Sequence, residues 1–182
     1  YTVGHDEPDL LTSGGPMAAL RERLLESYDL EAVELGGTGA IAEDIDVLWI
    51  VGPQTSFSER ALYQVDQFVM KGGSLGVFVT NTKADMRTLK PQNLYHNLEA
   101  FLGHYGAKIN RDILVDRVNN GRMSFPVRYG DTIRTVQINY PLIPKMTKLN
   151  KTVPTLKGID SMLSPFSSSV EVVETGSPSV EG

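Results

Sequence analysis

Residues 44–81 read DIDVLWIVGPQTSFSERALYQVDQFVMKGGSLGVFVTN. The run Val47-Leu48-Trp49-Ile50-Val51 is continuously apolar and rich in β-branched side chains, as expected of a strand buried on both faces of a parallel sheet. Leu75, Val77, Phe78 and Val79 form a second such run. Between the two, Leu62, Val65, Phe68 and Val69 recur at helical spacing and give one apolar stripe. Ser56 with Glu59 fits a capping box, and Ser58 is an equally good cap. Gly72-Gly73 supplies a left-handed stop. The segment is a strand–helix–strand unit, and the expectation is two adjacent parallel strands with Val47, Trp49, Val51, Val77 and Val79 in the core.

Reading outward, Gly15-Pro16 starts a helix to about Tyr28, because proline in the first helical turn forfeits no intrahelical bond. Its expected buried stripe is Met17, Leu20, Leu24, Leu25 and Tyr28. Ala32 to Leu35 reads as a short strand closed by Gly36-Gly37. A third helix is expected from Asn93 to Tyr105, and a further strand at Ile113-Leu114-Val115. This order predicts an α/β fold: a mostly parallel, doubly wound sheet flanked by helices.

After Asp116 the pattern changes. Asn119-Asn120-Gly121 signals a turn. Phe125, Val127 and Tyr129 alternate with polar or turn residues, Gly130-Asp131 turns again, and Val136, Ile138 and Tyr140 alternate likewise. Period-two alternation between turns predicts antiparallel strands solvated on one side. Pro141, Pro144 and Pro154 are expected to break the chain, with a short helix over 156–163 and a closing strand over 170–173. The expected organisation is a single α/β domain over 1–174, with core 1–116, a β excursion and return over 117–174, and a disordered polar tail over 175–182. The opening Tyr-Thr-Val-Gly and the polar end are expected of a fragment of a longer protein, with any membrane tether outside it.

A net charge of −5 and a pI near 5.2 argue against a phosphate backbone as the main partner. The densest basic group, Lys145, Lys148 and Lys151, is small. No run approaches the ~20 apolar residues of a membrane helix. The absence of cysteine removes disulfides, thiolate metal ligands and thiol nucleophiles together.

Five phrases carry a family resemblance. They are Gly4-His5-x-Glu7-Pro8, then D-x-D-V-L-W-I-V-G-P, then Q-F-V-M-K-G-G-S-L-G-V-F-V-T-N, then Y-P-L-I-P-K-M-T-K-L-N-K, then L-S-P-F-S-S-S-V-E. Together they resemble the auxiliary component of ABC transporters associated with gliding motility, the GldG-like proteins. The resemblance spans His5 to about Val173. It implies an extracytoplasmic, periplasmic domain anchored to the cytoplasmic membrane, without established enzymatic activity, whose partners are the membrane subunits of an ABC transporter. It also implies a flavodoxin-like, class I glutamine amidotransferase-like fold, shared with a domain of an intraflagellar transport subunit.

An amidotransferase-like enzyme needs a nucleophile on a strand-to-helix turn. Neither Gly52-Pro53-Gln54-Thr55-Ser56 nor Thr80-Asn81-Thr82-Lys83 carries a cysteine or a G-x-S-x-G elbow. A hydroxyl at Thr80 or Thr82 needs an adjacent base. His96 and His104 fall between stripe positions of the third helix and are expected to be exposed or partly exposed, with structural roles. His5 differs: His5, Asp6 and Glu7 follow the first strand directly. One histidine with two neighbouring carboxylates is a weak metal signal without distant ligands, so neither metal nor cofactor is expected, and no catalytic residue. Gly36-Gly37-Thr38-Gly39 lacks the phosphate-loop pattern and reads as a plain loop. In a doubly wound sheet, loops at the carboxyl ends of the strands converge. His5, Asp6, Glu7, Gln54, Ser56, Asn81 and Thr82 are therefore the candidate ligand edge for a small molecule or peptide. The expected function is a non-catalytic auxiliary or binding domain. The alternatives are a degenerate amidotransferase or hydrolase, and a protein-interaction scaffold.

Overall fold

A computed structural model describes residues 1–15, 17–84 and 91–174. Pro16, Asp85 and the expected tail over 175–182 lie outside the described residues. In chain order the elements are β1 (Thr2–Val3), α1 (Ala18–Leu25), β2 (Val33–Glu34), β3 (Val47–Val51), α2 (Glu59–Met70), β4 (Ser74–Phe78), β5 (Thr82–Ala84) and β6 (Pro91–Asn93). Then follow α3 (Leu98–His104), β7 (Ala107–Ile109), β8 (Asn120–Tyr129), β9 (Thr132–Met146), a 3-10 turn (Pro154–Leu156), β10 (Met162–Leu163) and β11 (Val170–Val172). Two compact units result: Tyr1–Asn81, Leu94–Lys108 and Glu171–Gly182 form the first, and Thr82–Asn93 and Ile109–Val170 the second.

In the first unit the 44–81 segment forms the expected parallel pair. Val47 lies opposite Ser74, and Val51 opposite Phe78. The buried face is the other one, however. Leu48 and Ile50 are fully buried, whereas Val47 is 47% exposed and Trp49, Val51, Val77 and Val79 are half-buried. A strand packed hard on one side only obeys the period-two rule, not the both-faces rule. α2 begins at Ser58, whose hydroxyl accepts the Ala61 N–H at 3.1 Å; Ser56 is not the cap. Ala61, Gln64, Val65 and Phe68 make its buried face. Leu62 and Val69 are half-buried at its margins.

The helix ends in a Schellman motif. Gly72 (φ +97°) donates its N–H to the Val69 carbonyl at 2.9 Å, and Gly73 donates to the Phe68 carbonyl at 3.0 Å. A Cβ on Gly73 would lie 2.7 Å from Phe68 Cε2 and nearer still to Cε1 and Cζ, so the ring rests directly on this residue.

The expected doubly wound, flavodoxin-like or amidotransferase-like parallel sheet does not form. The strands make separate small sheets. β1–β2 and β3–β4 are parallel, while β5–β6, β8–β9 and β9–β10 are antiparallel. The physical cause is visible in α1. None of its residues is buried, and Leu20, Leu25 and Tyr28 are exposed. A crossover helix with only Ala18, Arg21 and Leu24 half-buried and no residue fully buried does not anchor a two-layered sheet. The third helix is also shorter than expected: Asn93 ends a strand, residues 94–97 are irregular, and Asn97 at φ +50° cannot extend a right-handed helix. No strand forms at Ile113–Val115; the chain there is held by Leu114 N–H to the Ser167 carbonyl at 2.9 Å.

The second unit is dominated by the β8–β9 hairpin. Its register is fixed at the expected Gly130-Asp131 turn, with Tyr129 opposite Thr132. Asn119-Asn120-Gly121 is not a turn: the register shifts between Asn120 and Gly121, whose partners are Pro144 and Tyr140. Pro141 sits in that bulge, where no ladder N–H is required, so β9 passes through it unbroken. The helix expected over 156–163 is a 3-10 turn followed by β10.

Candidate functional site

The turn after β1 is built around a buried carboxylate. Gly4 (φ +106°) and Asp6 (φ +58°) take left-handed conformations and fold Glu7 back under the strand end. The Glu7 side chain is 1% exposed. Its Oε2 accepts the His5 N–H at 2.6 Å, and its Oε1 accepts the Thr2 hydroxyl at 3.0 Å. His5 Nδ1 stands 3.3 Å from the same Oε1, an ion-pair distance without hydrogen-bond geometry. The His5 ring stacks on Phe57, centroids 3.7 Å apart and planes 17° from parallel. The His5 carbonyl accepts the Gln54 N–H at 2.8 Å, joining this turn to the loop after β3.

Phe57 is itself clamped. Its N–H donates to Asn97 Oδ1 at 2.9 Å, and Asn97 Nδ2 donates back to the Phe57 carbonyl at 2.8 Å. Asn97 achieves this at φ +50°. His96 is fully buried, contrary to the expected exposed or partly exposed place, and its Nδ1 accepts the Leu98 N–H at 3.2 Å. It serves as the cap of α3 that Asn97, turned toward Phe57, does not provide. His104 is exposed at the end of α3.

The remaining candidates are engaged in the same manner. Gln54 Nε2 donates to the Gly52 carbonyl at 2.8 Å. The Ser56 hydroxyl donates to the Tyr95 carbonyl. Asn81 is fully buried, with its carbonyl accepting the Leu94 N–H at 2.9 Å. Thr82 belongs to the second unit and is 3% exposed, with its hydroxyl 3.4 Å from the Asp112 carbonyl. The structure thus joins His5, Glu7 and the Gln54 loop. Asp6 is exposed at the turn. Among the described residues, the resulting pair, an imidazole against a carboxylate, has no hydroxyl hydrogen-bonded to the imidazole. Among the described residues, no group of three or more His, Cys, Asp or Glu could hold a metal ion.

A second place in the first unit was not legible as a site. The chain between β2 and β3 runs beside α2 and leaves a groove of about 540 Å3. Ile41, Ile45, Tyr63 and Phe68 line it along with Arg60 and Lys71. Gln64 anchors the groove wall: its Oε1 accepts the Gly36 N–H at 2.7 Å, and its Nε2 donates to the carbonyls of Gly37 (3.2 Å) and Gly39. Arg60 adds bonds to the Gly37 and Thr38 carbonyls at 3.3 and 2.9 Å. A glutamine inside an otherwise apolar helical stripe is the sequence signal for this. A buried amide needs partners, and backbone of a glycine-rich loop can supply them.

Among solved structures, the mmIFT52 N-terminal domain is similar in fold: TM-score 0.59, 15% identity, covering 95% of this chain and 67% of that one. That likeness, with the small separate sheets, replaces the flavodoxin-like expectation. No curated protein sequence matches the chain. The family described as "ABC-type uncharacterized transport system" matches residues 1–181, and the chain belongs to that family of auxiliary transport components.

Proposed function

We propose that this chain is a non-catalytic, extracytoplasmic domain of its transport system, and that it works by binding through the groove beside α2. The observation that carries this reading is the groove itself. Its volume of about 540 Å3 falls in the range of ligand pockets. Its wall is pinned by the buried Gln64, so the cleft is pre-formed. Its lining of aliphatic and aromatic side chains with charges of both signs, Lys71 and Arg60 against Glu43, suits a peptide or small molecule with an apolar body and a polar head. By contrast, the Glu7 carboxylate, the Gln54 amide and the Ser56 hydroxyl bond to their own neighbours and the His5 ring is stacked on Phe57, which leaves the β1 turn suited to rigidity. The finer identity, a GldG-like component tethered to the cytoplasmic membrane and paired with the transporter's membrane subunits, rests on the motifs quoted at the outset.

The test uses the full-length protein in its native membrane. Tyr63→Ser with Lys71→Glu, both at groove-lining positions, is expected to abolish transport and co-purification with the membrane subunits while leaving expression and folding intact. Full transport by that variant would sink the groove reading. Loss of transport on His5→Ala, with a folded domain and an untouched groove, would return the function to the β1 turn.

A further inference from the structure

The hairpin of the second unit has a partly exposed apolar face. By strand alternation and register, Met123, Phe125, Val127 and Tyr129 of β8 share one face with Val136 and Ile138 of β9. At the inner end the stripe meets Tyr140, which lies 5.8 Å from the Phe125 ring and is packed edge-on by Phe166. Beyond Tyr140, Ile138 is 46% and Tyr129 60% exposed, while Met123, Phe125, Val127 and Val136 between them are half-buried. The opposite face carries Arg122, Ser124 and Arg128 facing Asn139, Gln137 and Ile133. A two-stranded ribbon alone is marginally stable. One that is amphipathic, roughly 30 Å long and partly exposed on its apolar side lacks a partner.

Charge indicates which partner. Residues 109–170 hold nine Lys and Arg against four Asp and Glu, a net +5 in a chain whose total is −5. Four of these cations lie on the ribbon: Arg134 is on the apolar face beside the stripe, Arg122 and Arg128 are on the other, and Lys145 lies beyond the bulge. Aromatic and aliphatic side chains in one plane, with long cationic side chains that can reach past them, match the boundary of an anionic bilayer. Tyrosine is favoured at that depth. The ladder bonds between the two strands stay satisfied, and a ribbon lying in the plane of the interface keeps its open outer edges at the hydrated headgroup level.

We propose that the β8–β9 ribbon lies on an anionic phospholipid surface, apolar face inward, with Arg122, Arg128 and Arg134 on lipid phosphates. This goes beyond the groove and does not depend on it, since it concerns the other unit.

The chain has no cysteine, so single cysteines can be placed cleanly. The 182-residue protein is mixed with vesicles of phosphatidylcholine, with and without 30 mol% phosphatidylglycerol. Expected is sedimentation with the anionic vesicles only, weakened by salt. Arg128→Gln with Arg134→Gln should weaken it about thirtyfold, at about fivefold per cation. A polarity-sensitive dye at Val127→Cys should shift on binding, and one at Ser124→Cys should not. Circular dichroism confirms that each variant is folded. Equal binding to neutral vesicles, no effect of the arginine pair, or identical dye responses on both faces would overturn the proposal. So would a lipid-independent dye shift with dimer formation, which would make a second copy the occupant. Tighter binding to duplex DNA than to vesicles would reassign the surface to nucleic acid.

Discussion

Gly73→Ala perturbs one contact and leaves the backbone geometry alone, because φ at this residue is not in the left-handed region. Carbon atoms rest about 3.5–4.0 Å apart, whereas the new Cβ would stand 2.7 Å from Phe68 Cε2 and closer to two further ring carbons. The ring must therefore withdraw by about 1 Å or more. Overpacking of this kind costs roughly 1–3 kcal/mol. Phe68 also borders the groove, so the ring has room to swing, and about 1–2 kcal/mol is expected. The assay is urea unfolding followed by fluorescence of Trp49, the single tryptophan, which lies in the same unit. The midpoint should fall with the slope unchanged. Gly72→Ala is the counterpart: nothing stands within 4 Å of its Cβ, and the cost is the left-handed φ, about 1 kcal/mol. In a Phe68→Leu background the Gly73→Ala penalty should largely vanish, because the clash has lost its second partner. An equal penalty in both backgrounds, or none in the wild type, would refute the contact argument.

Glu7→Ala strips the partner from the His5 N–H and the Thr2 hydroxyl, and about 2–4 kcal/mol of stability should be lost in denaturant titration. Gln64→Ala should raise amide exchange of Gly36 and its loop at least tenfold while α2 itself stays protected, because the loop loses its anchor. The Asp9 carboxyl is drawn down to about 2, chiefly by the Thr12 hydroxyl, then by the Leu11 N–H and the Tyr1 hydroxyl. A depressed folded value stabilises above the ordinary pKa of 3.8, and that contribution fades as pH falls through about 2. Asp9→Asn should therefore melt below the wild type at pH 6 and level with it near pH 2; a constant gap would exclude this linkage.

What was legible followed from strong local patterns. The apolar runs either side of α2 specified a parallel pair, and Gly130-Asp131 specified the hairpin register, because both signals are complete within a few residues. The buried face of β3 was not legible, since VLWIV is apolar at every position and alternation has nothing to select. Helix α1 shows the limit of periodicity: a stripe of Leu20, Leu24 and Leu25 states what a helix can bury, and only the rest of the chain decides whether it does. For the site, His5, Asp6 and Glu7 stood out by adjacency after the first strand, but the pairing of His5 with a buried Glu7 depends on the φ of Gly4 and Asp6. His96 was hidden for a similar reason, as its capping role exists only once Asn97 is committed to Phe57. The basic hairpin went unseen because charge was summed over the whole chain, where the acidic remainder outweighs it.

The division of the chain has a consequence for how the protein comes into being. The first unit draws on Tyr1–Asn81, Leu94–Lys108 and the segment from Glu171 onward. Its last pieces join where Val173 donates its N–H to the Gly106 carbonyl at 2.9 Å and Lys108 meets Glu171 at 3.1 Å. During synthesis those partners arrive only after the whole of 109–170 has emerged. Closing that segment as a flexible loop costs about 3–4 kcal/mol beyond a constant term. Prior collapse of the hairpin unit would bring residues 108 and 171 together in advance and remove most of that cost. The second unit thus acts as the clasp on which maturation of the first waits, and a single cleavage within 109–170 during synthesis would leave both unfinished.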